Sequence, residues 1–220
     1  MRVLELTAAL IADLPSTGPT DPIAFYRRPM VGWLFRERIN RGLGLLGDRR
    51  FKAALEVGYG AGAVQLALDP AVAELHGIDL DADPTEVSRL LGTRGCPSEL
   101  RQGSVLELPY EAERFDLVVC FSVIEHLADY AVALREMARV LKPTGLLLLG
   151  MPSVSPLMEI GFRLIGFKGI EDHHVTTPAA VSRSFVPAGL QVTRSSFLDV
   201  PTRRPLGLRL YHNWLLRKQP

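Results

Sequence analysis

The stretch Ala54-Leu55-Glu56-Val57-Gly58-Tyr59-Gly60-Ala61-Gly62 decides the fold of this chain. Small and apolar residues surround one acid, and three glycines then follow at alternate positions. A short apolar run that ends in glycines predicts a buried strand followed by a tight turn. Glycine tolerates positive φ and leaves the backbone open to a close ligand. Residues 63–68 then predict a helix whose first N–H groups point to the same place, so we expect a small molecule to bind at this turn.

The glycine pattern alone does not identify that molecule. Gly58, Gly60 and Ala63 also satisfy the Gly-x-Gly-x-x-Ala fingerprint of dinucleotide-binding domains. A tight strand-to-helix turn that binds no ligand is a further alternative. Other parts of the sequence have to discriminate among a site for another small molecule, a dinucleotide site and a turn without a ligand.

Length and composition indicate one globular domain. The chain has 220 residues, of which 47% are hydrophobic and 22% charged, as is ordinary for a soluble protein. The net charge of +1 argues against a strong electrostatic attraction to nucleic acid or to an anionic membrane. No apolar run reaches transmembrane length, and the first residues do not resemble a signal peptide. We expect Cys96 and Cys120 to be free thiols, and the protein to be cytoplasmic without stable membrane insertion.

Apolar strands alternate with helical patterns after the glycine turn. Strands are predicted at 52–57, 74–79, 98–103, 115–121 and 146–151, and helices at 63–68, 84–91 and 130–141. This alternation predicts a parallel sheet with right-handed crossovers and helices on both faces. The ligand then belongs at the carboxyl ends of the strands, where the glycine turn lies.

Both ends of the chain add elements to this pattern. Helices are predicted at 1–14, 31–46, 157–167 and 178–185, a linker at 201–205, and strands at 190–197 and 211–217. The last two strands are expected to form an antiparallel pair. The fold class is therefore α/β, a Rossmann-like, doubly wound α/β/α sandwich with a mostly parallel sheet. We expect a single domain over 1–220, with an N-terminal helical cover (1–50), a cofactor-binding core (51–151), an acceptor-side insertion (152–189) and C-terminal strands (190–220). The N-terminal helices are either plain packing helices or a lid.

Five segments between Phe51 and Phe197 carry a further pattern. They are Leu55–Gly62, Gly77-Ile78-Asp79-Leu80-Asp81, Leu108-Pro109-Tyr110 with Phe115-Asp116-Leu117-Val118, Ser122-Val123-Ile124-Glu125-His126-Leu127 and Arg139-Val140-Leu141-Lys142-Pro143-Thr144-Gly145. In this order they resemble the motifs of class I S-adenosylmethionine-dependent methyltransferases of the small-molecule type. A nicotinamide-binding domain would explain the first two segments and none of the last three. Two positions depart from the family pattern, because Ser104 replaces an acid that contacts adenine and Thr144 replaces a glycine.

The resemblance implies S-adenosyl-L-methionine as the cofactor and a set of residues around it. Gly58, Gly60 and Gly62 would let the backbone approach the methionine end, and Asp79 would accept hydrogen bonds from both ribose hydroxyls. The remaining cofactor-binding positions are Glu56, which orients the loop, Tyr59, Leu80 and Val105 on either side of adenine, Ser104, and Phe121 and Ser122 at the methionine end. Ordinary core packing is the alternative for Leu80 and Val105.

The chemistry that this resemblance implies is attack of an acceptor on an activated methyl group. Alignment and exclusion of water are the main tasks of such an enzyme. A general base is needed only where the acceptor carries a proton that leaves early. His126, His173 and His174 are the candidates for that base, and ordering of the loop is the alternative for His126. We predict no metal site, because the adjacent residues at 171–174 cannot supply a full set of ligands.

The expected acceptor is a small molecule, with an apolar one such as a quinone, a lipid or a secondary metabolite favoured. The Asn/Asp-Pro-Pro-Tyr/Phe signature of nucleobase and amide methylation is absent after the fourth strand, where Cys120-Phe121-Ser122-Val123 stands. Together with the near-neutral charge, this absence argues against nucleic acid. Tyr26, Trp33, Tyr59 and Phe162 are candidates to line the acceptor pocket, and core packing is the equal alternative for each. An inactive methyltransferase-like binding protein and a nicotinamide-dependent oxidoreductase are the alternative functions.

Overall fold

The computed structural model describes residues 4–17, 23–153, 175–199 and 209–219. Its strands are β1 Phe51–Val57, β2 Val72–Asp79, β3 Ser98–Gln102, β4 Phe115–Phe121, β5 Leu141–Pro152, β6 Leu190–Asp199 and β7 Arg209–Lys218. They form one sheet in the order β3-β2-β1-β4-β5-β7-β6. The strands from β1 to β5 pair in parallel, and β7 is antiparallel to both β5 and β6. The predicted mostly parallel sheet with an antiparallel C-terminal pair is confirmed.

Helices cover both faces of this sheet. They are α1 Ala8–Ile11, α2 Ile23–Tyr26, α3 Pro29–Leu43, α4 Ala63–Leu68, α5 Pro84–Thr93, α6 Tyr130–Val140 and α7 Pro178–Arg183. Two of them begin with the predicted proline behind a side-chain cap. Asp83 accepts the N–H of Thr85 at the start of α5, and Thr177 accepts the N–H of Ala180 at the start of α7.

Alternate residues of the central strands point to two separate cores. Ala54 and Leu117 pack on one side, in a cluster with residues of α1 to α5. Leu55 and Val118 pack on the other side, against Leu134 of α6 and residues of α7. Because both faces are buried, the strands read as nearly continuous apolar runs. This arrangement is the α/β/α sandwich that the alternation of elements predicts.

The register of the strands brings several loops to one edge of the sheet. Val57, the last residue of β1, pairs with Ile78 of β2 and with Cys120 of β4. On the far side of β4, Pro152 at the end of β5 pairs with Tyr211 near the start of β7. The glycine turn, the ends of β2 and β4 and the start of β7 therefore lie along the same carboxyl edge.

The predicted helix over 1–14 is wrong for most of the length that the structure describes. Residues 4–7 are not helical, and α1 begins after Thr7, which caps it by accepting the N–H of Leu10. The reason is a tertiary contact that replaces helical hydrogen bonds. The Asn40 side chain accepts the N–H of Leu6 and donates to its carbonyl, over 2.7 Å and 3.3 Å.

The fifth strand begins earlier than the sequence pattern indicates. Leu141 pairs with Phe115, but the next pair along β4 joins Leu117 to Leu146, so residues 142–145 form a bulge rather than a separate turn. The glycine in this bulge is needed, because a Cβ on Gly145 would lie 2.9 Å from the Leu141 side chain. The other strand and helix boundaries agree with prediction within a few residues.

Some predictions fall on other parts of the chain. The helix at 157–167, which includes Phe162, and the linker at 201–205 lie outside the described residues. Within the ranges that are described, no helix combines the length and the apolar run that crossing a bilayer requires.

Candidate active site

The three glycines of the turn differ in what surrounds them. All have positive φ, +80° at Gly58, +47° at Gly60 and +79° at Gly62. A Cβ on Gly58 would lie 2.2 Å from the Val123 side chain, and one on Gly62 would lie 3.0 Å from a leucine of α5. The nearest atom to a Cβ on Gly60 would be the Thr17 hydroxyl at 4.0 Å. Gly58 and Gly62 therefore serve packing, whereas Gly60 faces a space that, among the described residues, only the Thr17 hydroxyl borders within 4.0 Å; we call it the open space at Gly60.

Asp79 joins this turn to the loop that follows β2. Its Oδ2 accepts the backbone N–H of Gly60 over 2.8 Å. Its Oδ1 accepts the N–H groups of Asp81 and Ala82 over 2.9 Å and 3.0 Å. A carboxylate has about four acceptor positions, so three are used by the backbone and about one remains for a ligand.

An apolar side chain stands beside Asp79 at the edge of the sheet. Leu80 is 65% exposed, which is unusual for a leucine in the central part of the fold. Its carbonyl accepts the Gln102 side chain over 3.0 Å, and this bond ties the end of β2 to the end of β3. Val105 follows β3 and is buried. The two residues predicted to enclose adenine thus come from adjacent loops, one exposed and one anchored in the core.

Ser104, which replaces the acid of the family pattern, has a local role in the structure. Its hydroxyl accepts the N–H of Leu106 over 3.1 Å. Short polar side chains commonly stabilise loops by such bonds to the backbone two residues ahead. The hydroxyl therefore holds the loop that carries Val105.

Glu56 and Tyr59 support the turn from beneath. Glu56 is buried, and burial raises its pKa to about 8, although a hydrogen bond from Gln65 opposes the shift. Tyr59 is also buried, and its hydroxyl donates to the Ala82 carbonyl over 3.2 Å. The bond from Tyr59 links the turn to the loop after β2, and the loop-orienting role of Glu56 stays a prediction.

The end of β4 has a strained backbone. Ser122 has φ of +56°, which is uncommon for a residue with a side chain and is often found at functional sites. Its N–H donates to the Gly150 carbonyl over 2.9 Å, and its hydroxyl lies 2.8 Å from the Tyr211 hydroxyl. The preceding Phe121 ring is buried between Gly42 and Gly150, where a Cβ on either glycine would meet it within 2.7 Å. Phe121 thus faces the core with its ring.

Polar side chains from α2, α3, β7 and the segment after β4 meet beside Ser122. We call this group the β4-end cluster, and its members are Tyr26, Arg38, Ser122, Glu125 and Tyr211. Arg38 donates to the Tyr26 hydroxyl over 3.0 Å, and its guanidinium carbon lies 5.1 Å from the centre of the Tyr211 ring. Tyr211 in turn contacts the Ser122 hydroxyl. Tyr26, Glu125 and Tyr211 are buried, so these polar groups interact away from bulk water.

Glu125 is the ionisable acid of this cluster. It is 1% exposed, and one of its carboxyl oxygens has no hydrogen-bond partner among the described residues. Burial raises the pKa of Glu125 to about 8, against the lowering effects of a backbone hydrogen bond and of the Arg38 charge. A carboxyl group with such a pKa exchanges protons near neutral pH.

The three histidines predicted as bases have different outcomes. His126 follows Glu125, its side chain is 41% exposed, and its Nε2 lies 4.0 Å from a Glu125 carboxyl oxygen. His173 and His174 lie outside the described residues. The structure therefore places one of the three beside the β4-end cluster, on its outer side.

Arg38, Tyr211 and Asn213 were not among the residues that sequence patterns single out. Asn213 is fully buried, and its side-chain amide donates to the Arg38 carbonyl over 3.1 Å. The sequence could have indicated Asn213, because a polar residue inside the apolar run of β7 is expected to be buried and hydrogen-bonded. Arg38 gave no such signal, since charged residues on a helix usually face water.

The N-terminal segment lies on the same edge. Thr17 is the nearest neighbour of the open space at Gly60. Leu6, Ile11 and Leu14 anchor the segment in the core. The side chain of Arg27, directly after α2, binds this segment by donating to the Ile11 carbonyl over 3.3 Å. Residues 4–17 therefore form a packed wall next to the glycine turn.

Known proteins share the part of the chain that contains this site. Residues 55–149 match the family described as "Methyltransferase domain". The uncharacterized methyltransferase YcgJ of Bacillus subtilis is 36% identical over 97 residues, which cover 43% of this chain and 38% of that protein. A demethylmenaquinone methyltransferase of Staphylococcus aureus is 35% identical over 116 residues, which cover 51% of this chain and 47% of that protein. The matched part thus spans less than half the length of these curated relatives.

Solved structures extend the similarity of fold over most of the chain. YcgJ superposes with a TM-score of 0.62 at 22% identity, covering 81% of this chain and 98% of its own. The N-methyltransferase NodS of Bradyrhizobium japonicum, solved with S-adenosyl-L-homocysteine, superposes with a TM-score of 0.66 at 20% identity, covering 96% and 97%. The matched sequence segment includes the glycine turn, Asp79 and the end of β4. On these grounds residues 55–149 form a methyltransferase domain of the class I S-adenosylmethionine-dependent type, and the chain shares the fold of such enzymes over most of its length.

Proposed function

We propose that this protein transfers a methyl group from S-adenosylmethionine to a small-molecule acceptor. The observation that carries the proposal is the hydrogen bond between the Gly60 N–H and Asp79 beside open space at the carboxyl edge of the sheet. Class I proteins with this turn bind their ligand at that edge. The bond fixes the Asp79 carboxylate next to the accessible backbone of Gly60. A nucleoside with a charged tail needs both, the acid for its ribose hydroxyls and the backbone for its tail.

The described residues fit the parts of this cofactor. The open space at Gly60 suits the methionine end, because Gly60 has no side chain of its own and, among the described residues, only the Thr17 hydroxyl comes within 4.0 Å of a Cβ placed there. Asp79 has about one acceptor position left for a ribose hydroxyl, and it would gain a second if the Gly60 N–H turned toward the ligand. Leu80 and Val105 offer apolar surface for adenine. When bound, S-adenosylmethionine supplies a methyl group on a positively charged sulfur.

The tasks left to the protein are alignment and exclusion of water. The strained turn at Ser122 fixes the end of β4 against β5 and β7. The packed N-terminal segment places Thr17 over the open side of the glycine turn. We infer that residues 4–17 shield the reacting groups from water.

The acceptor is proposed to be small and partly apolar. The matched segment covers residues 55–149. The helices α2 and α3 precede it and the strands β6 and β7 follow it, although these elements border the same edge of the sheet. The relatives' names refer to different acceptors, demethylmenaquinone for the Staphylococcus aureus enzyme and a nitrogen atom for the N-methyltransferase NodS. Aromatic side chains at Tyr26, Phe35 and Tyr211 support an acceptor with a ring. A net charge of +1 supports neither nucleic acid nor an anionic membrane as the partner.

A thermal-shift titration tests the cofactor assignment. S-adenosylmethionine and S-adenosylhomocysteine at a hundred times their Kd should add about 2.7 kcal/mol of stability. For a chain of this size, that corresponds to a rise in Tm of about 5–10 °C. Nicotinamide nucleotides at the same concentration serve as the control and should cause no shift.

Each outcome selects one function. A shift with the two sulfur compounds, followed by formation of S-adenosylhomocysteine with a panel of phenols, amines and quinols, supports the proposal. A shift without methyl transfer to any of them supports a binding protein that has lost activity. A shift with the nicotinamide nucleotides alone would overturn the proposal in favour of an oxidoreductase.

A further inference from the structure

We propose that the β4-end cluster binds the acceptor through an ionisable hydroxyl group of the phenol or enol type. Glu125 takes the proton of this hydroxyl, and Arg38 holds the resulting oxygen anion. This inference rests on the proposed methyl transfer and specifies its acceptor as a phenol or an enol.

The cluster lies where an acceptor has to be. Ser122 directly follows β4, and the next residue is Val123. The Val123 side chain contacts the backbone of Gly58, because a Cβ added to Gly58 would lie 2.2 Å from that side chain. The glycine turn and the cluster thus share one wall. A group bound beside Ser122 is adjacent to the methionine end of a cofactor held at the turn.

Arg38 has the free capacity that an anion needs. Its Nε donates to the Phe35 carbonyl over 3.3 Å and one Nη donates to the Tyr26 hydroxyl. Among the described residues, no carboxylate forms an ion pair with it, although a guanidinium offers five N–H donors. A partly enclosed arginine that attracts Glu125 electrostatically but forms no ion pair with a described carboxylate is a suitable receptor for a planar oxygen anion.

The surroundings of Arg38 favour an aromatic acceptor. Its guanidinium carbon lies 4.7 Å from the Phe35 ring centre, 5.1 Å from that of Tyr211 and 5.7 Å from that of Tyr26. Such contacts stabilise the cation and fix its plane. The buried Asn213 side chain, which donates to the Arg38 carbonyl, is a positioning residue that holds this part of α3 at the sheet edge.

Glu125 offers the matching proton acceptor. It is buried, with one carboxyl oxygen that has no partner among the described residues. A buried oxygen in this state costs free energy unless a donor reaches it. The charged and titratable groups that face Glu125 are Arg38 from α3, Tyr211 from β7, Cys120 from β4 and the adjacent His126. A ligand hydroxyl would satisfy the oxygen and lie next to the Arg38 charge.

The proton step balances without a further reactant. Where Glu125 is ionised, the O–H bond of the acceptor breaks, its proton goes to the Glu125 carboxylate, and the electron pair stays on the oxygen. Where Glu125 is already protonated, the proton of the acceptor goes to solvent instead. Arg38 stabilises that pair until it attacks the methyl group. His126, half exposed and 4.0 Å from Glu125, is placed to pass the proton to solvent. An ammonium acceptor fits less well, because Arg38 would repel its positive charge.

The test uses 4-nitrophenol, whose visible absorbance reports its ionisation. The probe is titrated with full-length protein saturated with S-adenosylhomocysteine, at a pH below the pKa of the free probe. The wild type should increase the phenolate absorbance, and Arg38→Gln should weaken this binding at least tenfold. Arg41→Gln, which removes an exposed arginine of the same helix, is the matched control and should behave as the wild type. 4-Nitroanisole, which has no ionisable hydroxyl, should bind the wild type and Arg38→Gln equally.

Further measurements separate the possible failures. Tm and S-adenosylhomocysteine affinity are measured for every variant, and Arg38→Lys, which keeps the charge without the planar fork, replaces Arg38→Gln if that variant does not fold. Arg38→Lys should still favour nitrophenol over nitroanisole, with weaker binding than the wild type. Equal probe binding by wild type and Arg38 variants, or no absorbance change with the wild type, overturns the inference. Failure of the wild type to bind S-adenosylhomocysteine would instead contradict the proposed function.

Discussion

The backbone N–H of Gly60 donates to the carboxylate of Asp79 over 2.8 Å, and this bond connects the glycine turn to the end of the second strand. The two residues are 19 positions apart in sequence. They meet because β1 and β2 are parallel neighbours that end at the same edge. The acid therefore organises the ligand-binding loop as well as offering an acceptor to the ligand.

Asp79→Asn should weaken binding of S-adenosylhomocysteine about 10- to 100-fold, a loss of about 1.4–2.8 kcal/mol. The amide keeps the size of the side chain but replaces one acceptor by N–H donors. Those donors would face either Gly60 or the ligand. Isothermal titration calorimetry measures the effect. Asp81→Asn, an exposed acid in the same loop, is the control and should bind like the wild type, and equal affinity of all three proteins would refute the role of Asp79.

Alanine at Gly58 should mainly lower stability, whereas alanine at Gly60 should mainly weaken cofactor binding. Gly58→Ala forces a Cβ to 2.2 Å from Val123 at a φ of +80°, so it should lower the free energy of unfolding by several kcal/mol. Gly60→Ala meets open space and should cost only about 1–2 kcal/mol for its positive φ, yet it should greatly weaken cofactor binding. Urea unfolding and calorimetry on both variants provide the comparison. Unchanged cofactor affinity in a folded Gly60→Ala would show that the ligand does not approach this residue.

These two glycines also show where sequence reasoning ends. The turn, its strand and its edge of the sheet follow from the spacing of apolar residues and glycines. The difference between Gly58 and Gly60 does not, because it depends on Val123 and Thr17, which lie on other segments of the chain. Periodicity identifies the elements, whereas tertiary contacts decide which backbone position stays open.

Arg38 illustrates the same limit for the acceptor side. In sequence it stands between Glu37 and Ile39 on a helix rich in arginine, a pattern typical of a solvated face. The structure instead has it among aromatic rings, held by Asn213, which is 175 positions away. Only the packing of α3 on the antiparallel end of the sheet creates this environment, and no local pattern encodes it.

Stability should fall as the pH rises from about 6.5 to 8. Burial raises the folded-state pKa of both Glu56 and Glu125 to about 8, from an ordinary value of 4.5. A carboxyl with a raised pKa contributes stability that is present at low pH and lost as the pH rises through the folded-state value, because the folded protein then binds more protons than the unfolded chain. Each group gives a slope of at most about 1.4 kcal/mol per pH unit, so both together give about 2–3 kcal/mol per pH unit, decreasing as the pH approaches 8.

His212 limits this prediction to the upper part of the range. Burial lowers its pKa to about 4, from 6.5, so it contributes stability that is lost as the pH falls from 6.5 to 4. Below pH 6.5 it therefore opposes the two carboxyls, and above that value they act alone. Urea unfolding at pH 6.5 and 8 measures the slope, and Glu56→Gln should halve it. A free energy of unfolding that stays constant or increases over this interval would contradict the assignment of two buried carboxyls.

Ionisation of Glu125 should control how tightly the protein holds a phenolate. With the wild type saturated with S-adenosylhomocysteine, binding of 4-nitrophenolate should weaken as the pH rises past about 8, where Glu125 becomes charged and repels the anion. Glu125→Gln carries no charge at any pH, so its affinity for the phenolate should stay level over the same range. Glu107→Gln, which removes an acid from the loop after β3, should retain the wild-type decline. A decline of equal steepness in Glu125→Gln would mean that another group is responsible, and that Glu125 does not face the acceptor.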